Sequence, residues 1–130
     1  ERIEAGMPVL ATCAGLILLA RAIAGDGSRE SAPRAAQTGP WIGTLDVTVK
    51  RNAYGRQLGS FHTTAPVDDI PNVPMTFIRA PFVANVGPAA QAIATVDGHV
   101  VAVRQGAQIG LAFHPELDGD RRIHERFVRL

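Results

Sequence analysis

The sequence predicts a single α/β domain, a sandwich of helices and sheet that contains an antiparallel insert. Three observations support this fold class: an apolar strand that runs into a helix near the start, a series of short β-prone runs in the middle, and an amphipathic helix at the end. The length of 130 residues suits one domain. With 46% hydrophobic and 19% charged residues, the chain can bury a core and does not have the composition of a disordered segment.

Charge and cysteine content argue against several classes of function. Thirteen basic and twelve acidic residues leave a net charge of +1 without a block of like charge, so we do not expect a dedicated nucleic-acid or membrane-surface binder. The single cysteine, Cys13, excludes an internal disulfide and a cysteine-based zinc cluster and fits a reduced, cytoplasmic setting. The longest apolar run, Pro8 to Ala20, is shorter than the about 20 residues that a membrane span needs.

The first elements follow from the apolar spacing. Glu1 to Ala5, followed by Gly6, are typical of a last helical turn with a glycine stop, and Pro8 to Thr12 predicts a short strand buried on both faces. A helix closed by Gly25 is predicted next, because apolar residues recur at helical spacing: Leu16, Ile17, Leu19, Ala20 and Ile23. Small and polar residues from Asp26 to Pro40 predict a mobile surface loop.

The middle of the chain predicts strands. Thr44 to Lys50 alternates apolar with polar residues, as a half-buried strand does. Asp97-Gly98 is the residue pair of a tight hairpin turn. Further short β-prone runs are Phe61 to Ala65, Met75 to Arg79, Gln91 to Val96, Val100 to Gln105 and Gln108 to Phe113.

A closing helix is predicted at the end of the chain. Asp120 has the character of an N-cap, and Ile123, Phe127 and Leu130 form an apolar stripe at helical spacing. The order of elements therefore resembles an α/β sandwich, although the spacing alone does not establish which strands run parallel.

Cys13 lies where the first predicted strand meets the first predicted helix, among the small residues Ala11, Ala14 and Gly15. This pattern predicts a nucleophile elbow, a sharp turn that holds the central residue in a strained conformation and points its side chain above the sheet. We expect the helix dipole to lower the thiol pKa and the Ala14 amide to donate to a developing oxyanion. A buried structural cysteine is the alternative.

A second motif, Phe113-His114-Pro115-Glu116, directly follows a predicted strand. Residues two apart in an extended segment point the same way, and the proline restricts the backbone, so the imidazole and the carboxylate are predicted to act as one unit. Glu116 would orient His114 and leave one ring nitrogen to take a proton from a thiol, as in hydrolytic triads. An ordinary loop histidine is the alternative.

Further motifs accompany these two: Val49 to Gln57, Ser60-Phe61, Phe77 to Pro81 and Gly119 to His124. Together the motifs resemble the glutaminase subunit of pyridoxal 5′-phosphate synthase, a family of class I, triad-type glutamine amidotransferases, over nearly the whole chain. The cysteine and the His-x-Glu pair belong to the wider superfamily. The segments Arg-Asn-x-x-Gly-Arg-Gln and Phe-Ile-Arg-Ala-Pro look specific to this vitamin B6 branch.

The resemblance implies a three-layer, flavodoxin-like sandwich with a mixed sheet. It also implies a reaction, the hydrolysis of glutamine to glutamate and ammonia. Cys13 would be the nucleophile that attacks the carboxamide, His114 the base that then protonates the departing ammonia, and Glu116 the orienting member.

The resemblance further implies a substrate-binding set, Arg51, Ile78 and Arg79. A guanidinium suits the α-carboxylate of glutamine because it offers paired donors of fixed geometry. Alternatively, Arg51 and Arg79 form internal ion pairs or face a partner subunit. The remaining histidines, His62, His99 and His124, do not have metal-site spacing.

A partner is also implied by the resemblance: a separate (β/α)8-barrel synthase subunit that receives the ammonia in a hetero-oligomer and makes pyridoxal 5′-phosphate from a pentose phosphate and a triose phosphate. No metal or bound cofactor is implied. Two alternatives remain at this point. The chain could serve another acceptor pathway, such as imidazole glycerol phosphate synthesis, or it could be a non-catalytic interaction subunit.

The chain departs from the family pattern in four places, one of which is the stretch from Asp26 to Pro40, whose length and composition suggest an insertion. The chain starts just before the elbow, so we expect residues 1–130 to be the C-terminal portion of a longer protein, without the family's N-terminal β/α segment and its glycine-rich oxyanion loop. Ala11 stands where many members have glycine, and His62 stands where an acidic residue is usual.

Overall fold

Strands dominate the part of the chain that the computed structural model describes, which is residues 2–23, 32–33, 42–50 and 60–130. Two α-helices, α1 (Ala14–Leu19) and α2 (Arg122–Val128), and one turn of 3-10 helix (Pro115–Leu117) accompany them. The strands are β1 (Val9–Thr12), β2 (Ala20–Ile23), β3 (Ala32–Pro33), β4 (Leu45–Lys50), β5 (Ser60–Val67), β6 (Ile70–Ile78), β7 (Phe82–Val86), β8 (Gln91–Val96), β9 (His99–Gln105) and β10 (Gln108–Leu111).

The main sheet of the described chain is mixed. Its strand order is β1-β10-β9-β7-β4-β2-β3, and β8 also pairs with β9. β1 pairs with β10 and β2 with β4 in parallel, while the other pairs in this sheet are antiparallel. β5 and β6 form a separate antiparallel hairpin. The predicted α/β class with a mixed sheet is therefore confirmed.

Successive residues of β10 face opposite sides of the sheet and pack against different elements. A Cβ built on Gly110 would lie 2.7 Å from Cδ1 of Leu16 in α1, so this residue faces α1. The next residue back, Ile109, lines a small cavity together with Ile123 of α2 and with Val67 and Ile70 of the β5–β6 hairpin. Successive strand residues point to opposite faces, so the sheet lies between α1 on one side and α2 with the hairpin on the other.

Several elements form where the sequence predicts them. The strand over 44–50 is observed as β4, and β8 and β9 lie over the predicted runs. Asp97 (φ 50°) and Gly98 (φ 79°) make the predicted hairpin turn, which closes on the pair Val96 and His99.

Gly6 ends an N-terminal turn, as predicted. Its φ is 103°, its N–H donates to the Ile3 carbonyl, and the N–H of Met7 donates to the Arg2 carbonyl. This pair of bonds is the Schellman arrangement that a left-handed residue makes at a helix end.

The closing helix is confirmed with a start at Arg122, but the predicted N-cap is wrong, because Arg121 and not Asp120 occupies that position. A carboxylate oxygen of Asp120 accepts a hydrogen bond from the Arg122 backbone N–H at 2.9 Å, so Asp120 satisfies one of the unpaired donors at the helix start. Ile123 is buried and both Phe127 and Leu130 are half-buried, which confirms the predicted stripe.

The predicted extent of the first helix is wrong. α1 ends at Leu19, and Ala20–Ile23 form a strand that pairs in parallel with β4. Buried apolar residues occur in both helices and strands, so their spacing does not decide between the two. Residues 20–23 form a strand because β4 offers partners for their backbone hydrogen bonds. The first strand is also less buried than predicted, since only Ala11 within Val9–Thr12 is fully buried.

Besides β2 and the two-residue β3, two stretches of strand have no counterpart in the sequence prediction. One is β7, and the other is the first half of β6, which contains Pro71 and Pro74. Proline removes a ladder donor and argues against a central strand, but each strand of a two-stranded sheet has a second edge that needs no partner. The predicted loop over 26–40 lies outside the described residues except for 32–33, which pair with β2.

No helix within the described ranges is long and apolar enough to cross a membrane.

Gly110→Ala is expected to destabilise the fold by about 1–3 kcal/mol, because the new methyl group would overpack α1 against β10. Its Cβ would also lie 3.1 Å from Leu45. Gly119→Ala is the matched control, since nothing lies within 4 Å of the Cβ position there. Urea unfolding measures both variants, and equal stabilities would contradict this description of the packing.

Candidate active site

Cys13 occupies a sharp turn between β1 and α1. Its backbone has φ 50° and ψ −105°, a conformation that L-residues rarely adopt. Its N–H donates to the Leu111 carbonyl at 2.8 Å, and its own carbonyl accepts from the Ile17 N–H at 3.3 Å. The backbone on both sides of the sulfur is therefore fixed, by the sheet before it and by the helix after it, and this is the geometry of the predicted elbow.

Small neighbours make this turn possible. A Cβ at Gly15 would lie 3.2 Å from the Cβ of Ala11, which is closer than most real contacts between such atoms. Because Gly15 has no side chain, it leaves room for the methyl group of Ala11. The Cys13 side chain itself is half-buried, so it is not the fully buried structural cysteine that was the alternative.

His114 and Glu116 form the predicted unit. Nδ1 of His114 lies 2.6 Å from Oε1 of Glu116, across a 3-10 turn that Pro115 begins. Because an ionised carboxylate only accepts, this bond places a proton on Nδ1, and the neutral ring then carries its lone pair on Nε2. That nitrogen is the one suited to take a proton from a thiol.

Parallel pairing of β1 with β10 brings the two motifs to one edge of the sheet. Thr12 is in register with Leu111, so Cys13 and the segment that leads to His114 leave the sheet side by side. The end of β6 reaches the same place, where the Cys13 thiol lies 3.9 Å from the Ile78 carbonyl oxygen.

The Cys13 thiol is not acidified, which corrects the expectation from the helix dipole. Burial raises its pKa above the ordinary value, the Ala14 N–H lowers it, and the negative charge of Glu116 raises it further. α1 has only six residues, so its dipole is small.

Glu116 stays ionised to a lower pH than an ordinary glutamate. Burial raises the pKa of its carboxyl, but its own backbone N–H, the hydrogen bond from His114 and the positive charges of His114 and His124 outweigh that effect and lower it. A carboxylate that remains charged stabilises the imidazolium that proton transfer creates.

The structure places the other predicted site residues as follows. Ile78 ends β6 with its side chain exposed, and Arg79 follows it in a left-handed conformation (φ 44°), also exposed. Ala14 begins α1 with its N–H beside the sulfur. Arg51 lies outside the described residues.

Sequence reasoning missed two residues that hold the His114 turn, Thr76 and Asp118. The Thr76 hydroxyl donates to Asp118 at 3.0 Å, and the Thr76 carbonyl accepts from the His114 N–H at 2.9 Å. Nε2 of His62, a residue without a predicted role, lies 3.1 Å from the same carboxylate. The position of Asp118, directly after the His-Pro-Glu-Leu turn, was the available signal.

No group of three or more histidine, cysteine, aspartate or glutamate residues that could hold a metal ion occurs in the described part of the chain.

Comparison with known families and proteins gives a consistent result. The profile of the SNO glutamine amidotransferase family matches residues 1–130. A protein of Desulfitobacterium hafniense named pyridoxal 5′-phosphate synthase subunit PdxT is 56% identical over 128 residues, which cover 98% of this chain and 59% of that protein. A protein of the same name from Methanocorpusculum labreanum is 50% identical over 128 residues, covering 98% and 61%.

A solved structure gives the same assignment of fold. It is described as a crystal structure of glutamine amidotransferase, and it superposes with a TM-score of 0.84 at 36% sequence identity over 98% of this chain and 63% of its own. The predicted flavodoxin-like, class I amidotransferase fold is thereby confirmed. The chain spans about three fifths of the length of the curated relatives described above.

The raised thiol pKa predicts how Cys13 reacts with iodoacetamide. Its alkylation rate should reach half-maximum at a higher pH than that of an ordinary cysteine thiol, and Glu116→Gln should move that midpoint to lower pH, because it removes a negative charge that disfavours the thiolate. Cys13 is the only cysteine in residues 1–130, so alkylation of this chain reports on that thiol alone. Glu125→Gln, which neutralises an exposed carboxylate on α2, is the control and should leave the midpoint in place. An unchanged or higher midpoint in Glu116→Gln would contradict the assigned electrostatics.

Proposed function

Because this chain belongs to the SNO glutamine amidotransferase family, we propose that the protein hydrolyses L-glutamine to L-glutamate and ammonia for the synthesis of pyridoxal 5′-phosphate. One observation carries the proposal: the strained Cys13 turn at the end of β1 lies beside the end of β10, from which His114, bonded to Glu116, extends. A nucleophile, a base and a group that orients the base are the parts that amide hydrolysis through a covalent intermediate requires.

The proposed reaction begins with transfer of the thiol proton to Nε2 of His114. Sγ of Cys13 attacks the carboxamide carbon, and the C–N bond breaks when His114 returns the proton to the departing ammonia. The resulting thioester is hydrolysed by water, which releases glutamate and restores the thiol. Since the thiol pKa is raised, Cys13 rests as the neutral thiol, and His114 removes the proton at the moment of attack.

The tetrahedral intermediate needs donors for its oxyanion. We assign one to the backbone N–H of Ala14, because this group begins α1 next to the sulfur and has no acceptor within the helix. Removal of one such donor typically costs about 10²–10³ in rate. The substrate itself is proposed to contact Arg51, Ile78 and Arg79, with a guanidinium on its α-carboxylate.

A synthase subunit is the proposed partner. The relatives from Desulfitobacterium hafniense and Methanocorpusculum labreanum are named as subunits of pyridoxal 5′-phosphate synthase, which favours this branch over an amidotransferase of another pathway. Ammonia that escapes into water is protonated and diluted, so a glutaminase benefits from direct contact with the enzyme that consumes ammonia. We propose a hetero-oligomer of this kind in the cytoplasm.

Cys13→Ala in the complete protein is expected to abolish glutamine hydrolysis, at least about a 10⁴-fold loss, because the covalent intermediate cannot form. Binding to the synthase subunit, measured by analytical ultracentrifugation, should stay intact, since the variant removes only one half-buried sulfur. Glutamate release in a coupled assay gives the rate. Hydrolysis at the wild-type rate would eliminate Cys13 as the nucleophile.

A further inference from the structure

The carboxylate of Asp118 is held by two strands at once. Its Oδ1 lies 3.1 Å from Nε2 of His62 on β5, and its Oδ2 accepts from the Thr76 hydroxyl on β6 at 3.0 Å. His62 and Thr76 are direct partners in the register of the hairpin. The Asp118 side chain is only 15% exposed, so its carboxylate is largely shielded from water.

The same strand holds the other end of the His114 turn. The Thr76 carbonyl accepts from the His114 N–H at 2.9 Å, while Leu117 and Asp118 close the turn by donating to the carbonyls of His114 and Pro115. Thr76 therefore binds the turn twice, at its start through the backbone and at its end through the Asp118 carboxylate.

This double attachment matters because the two side chains inside the turn need a precise position. Glu116 is 48% exposed, and its short bond to His114 competes with water. If the end of the turn moved by about 1 Å, the direction of the imidazole toward the sulfur would change, and a misplacement of that size can cost about 10²-fold in rate.

We propose that Asp118 is a positioning residue, which acts through Thr76 to hold the His114–Glu116 turn in the orientation that serves Cys13. This inference rests on the proposed glutaminase function. The Thr76 contact is the main link, because His62 is 54% exposed and an exposed side-chain contact of this kind contributes little.

The test uses Asp118→Ala and Asp118→Asn in the complete protein bound to its synthase subunit. Asp118→Ala should lower kcat for glutamine by about tenfold to 100-fold with KM within about twofold, since the turn moves while the substrate contacts remain. Asp118→Asn keeps an acceptor for the Thr76 hydroxyl and should restore kcat to within about threefold of wild type. Asp69→Ala is the matched control: Asp69 pairs with Arg126 on α2, 2.6 Å away, and should leave kcat unchanged.

A second readout does not depend on hydrolysis. The Nδ1 proton of His114 should give a downfield NMR signal because of its short bond to Glu116, and this signal should broaden or shift upfield in Asp118→Ala but not in Asp69→Ala. Wild-type kcat and an unchanged His114 signal in Asp118→Ala would overturn the proposal. The proposal would also be overturned if Asp118→Asn did not restore kcat and if the loss of kcat in the variants paralleled a fall in their melting temperature. A wild-type protein that fails to hydrolyse glutamine would instead contradict the proposed function, while the NMR comparison would still test the role of Asp118.

Discussion

The parallel pairing of β1 with β10 is the constraint on which the candidate site depends. Parallel strands end at the same edge of a sheet, so residues that are far apart in the chain, Cys13 and His114, extend from neighbouring positions. The bond from the Cys13 N–H to the Leu111 carbonyl extends this pairing by one residue into the strained turn. A change of register by one residue would send the side chains of β1 to the opposite face and separate the two motifs.

Three aromatic rings pack together beside the polar groups of the candidate site. Phe77 stacks on Phe61 at 4.5 Å and meets the edge of Phe113 at 5.8 Å. Phe77 directly precedes Ile78, whose carbonyl faces the thiol, and Phe113 directly precedes His114. The packing of these rings therefore fixes both the end of β6 and the start of the His114 turn, since aromatic pairs contribute more than their area alone.

The sequence predicts those parts of the fold and the site that depend on neighbouring residues. The Cys13 turn follows from small residues next to a strand, the Asp97-Gly98 hairpin from its left-handed residues, and the His114–Glu116 unit from their spacing. Features set by distant partners were missed. Residues 20–23 form a strand because they pair with β4. The pKa of the Cys13 thiol is raised by burial and by the charge of Glu116, which is far from Cys13 in the sequence. Asp118 acquires its role only when β6 lies beside it.

The most direct test of the candidate site is a crystal structure of the complete protein after reaction with an electrophilic analogue of glutamine. If Cys13 is the nucleophile, a covalent bond will join the analogue to its Sγ. The proposed mechanism also predicts Nε2 of His114 within about 3.2 Å of that sulfur or of the leaving-group position, and Glu116 still on Nδ1. Attachment to another residue, or an imidazole turned away from Cys13, would contradict it.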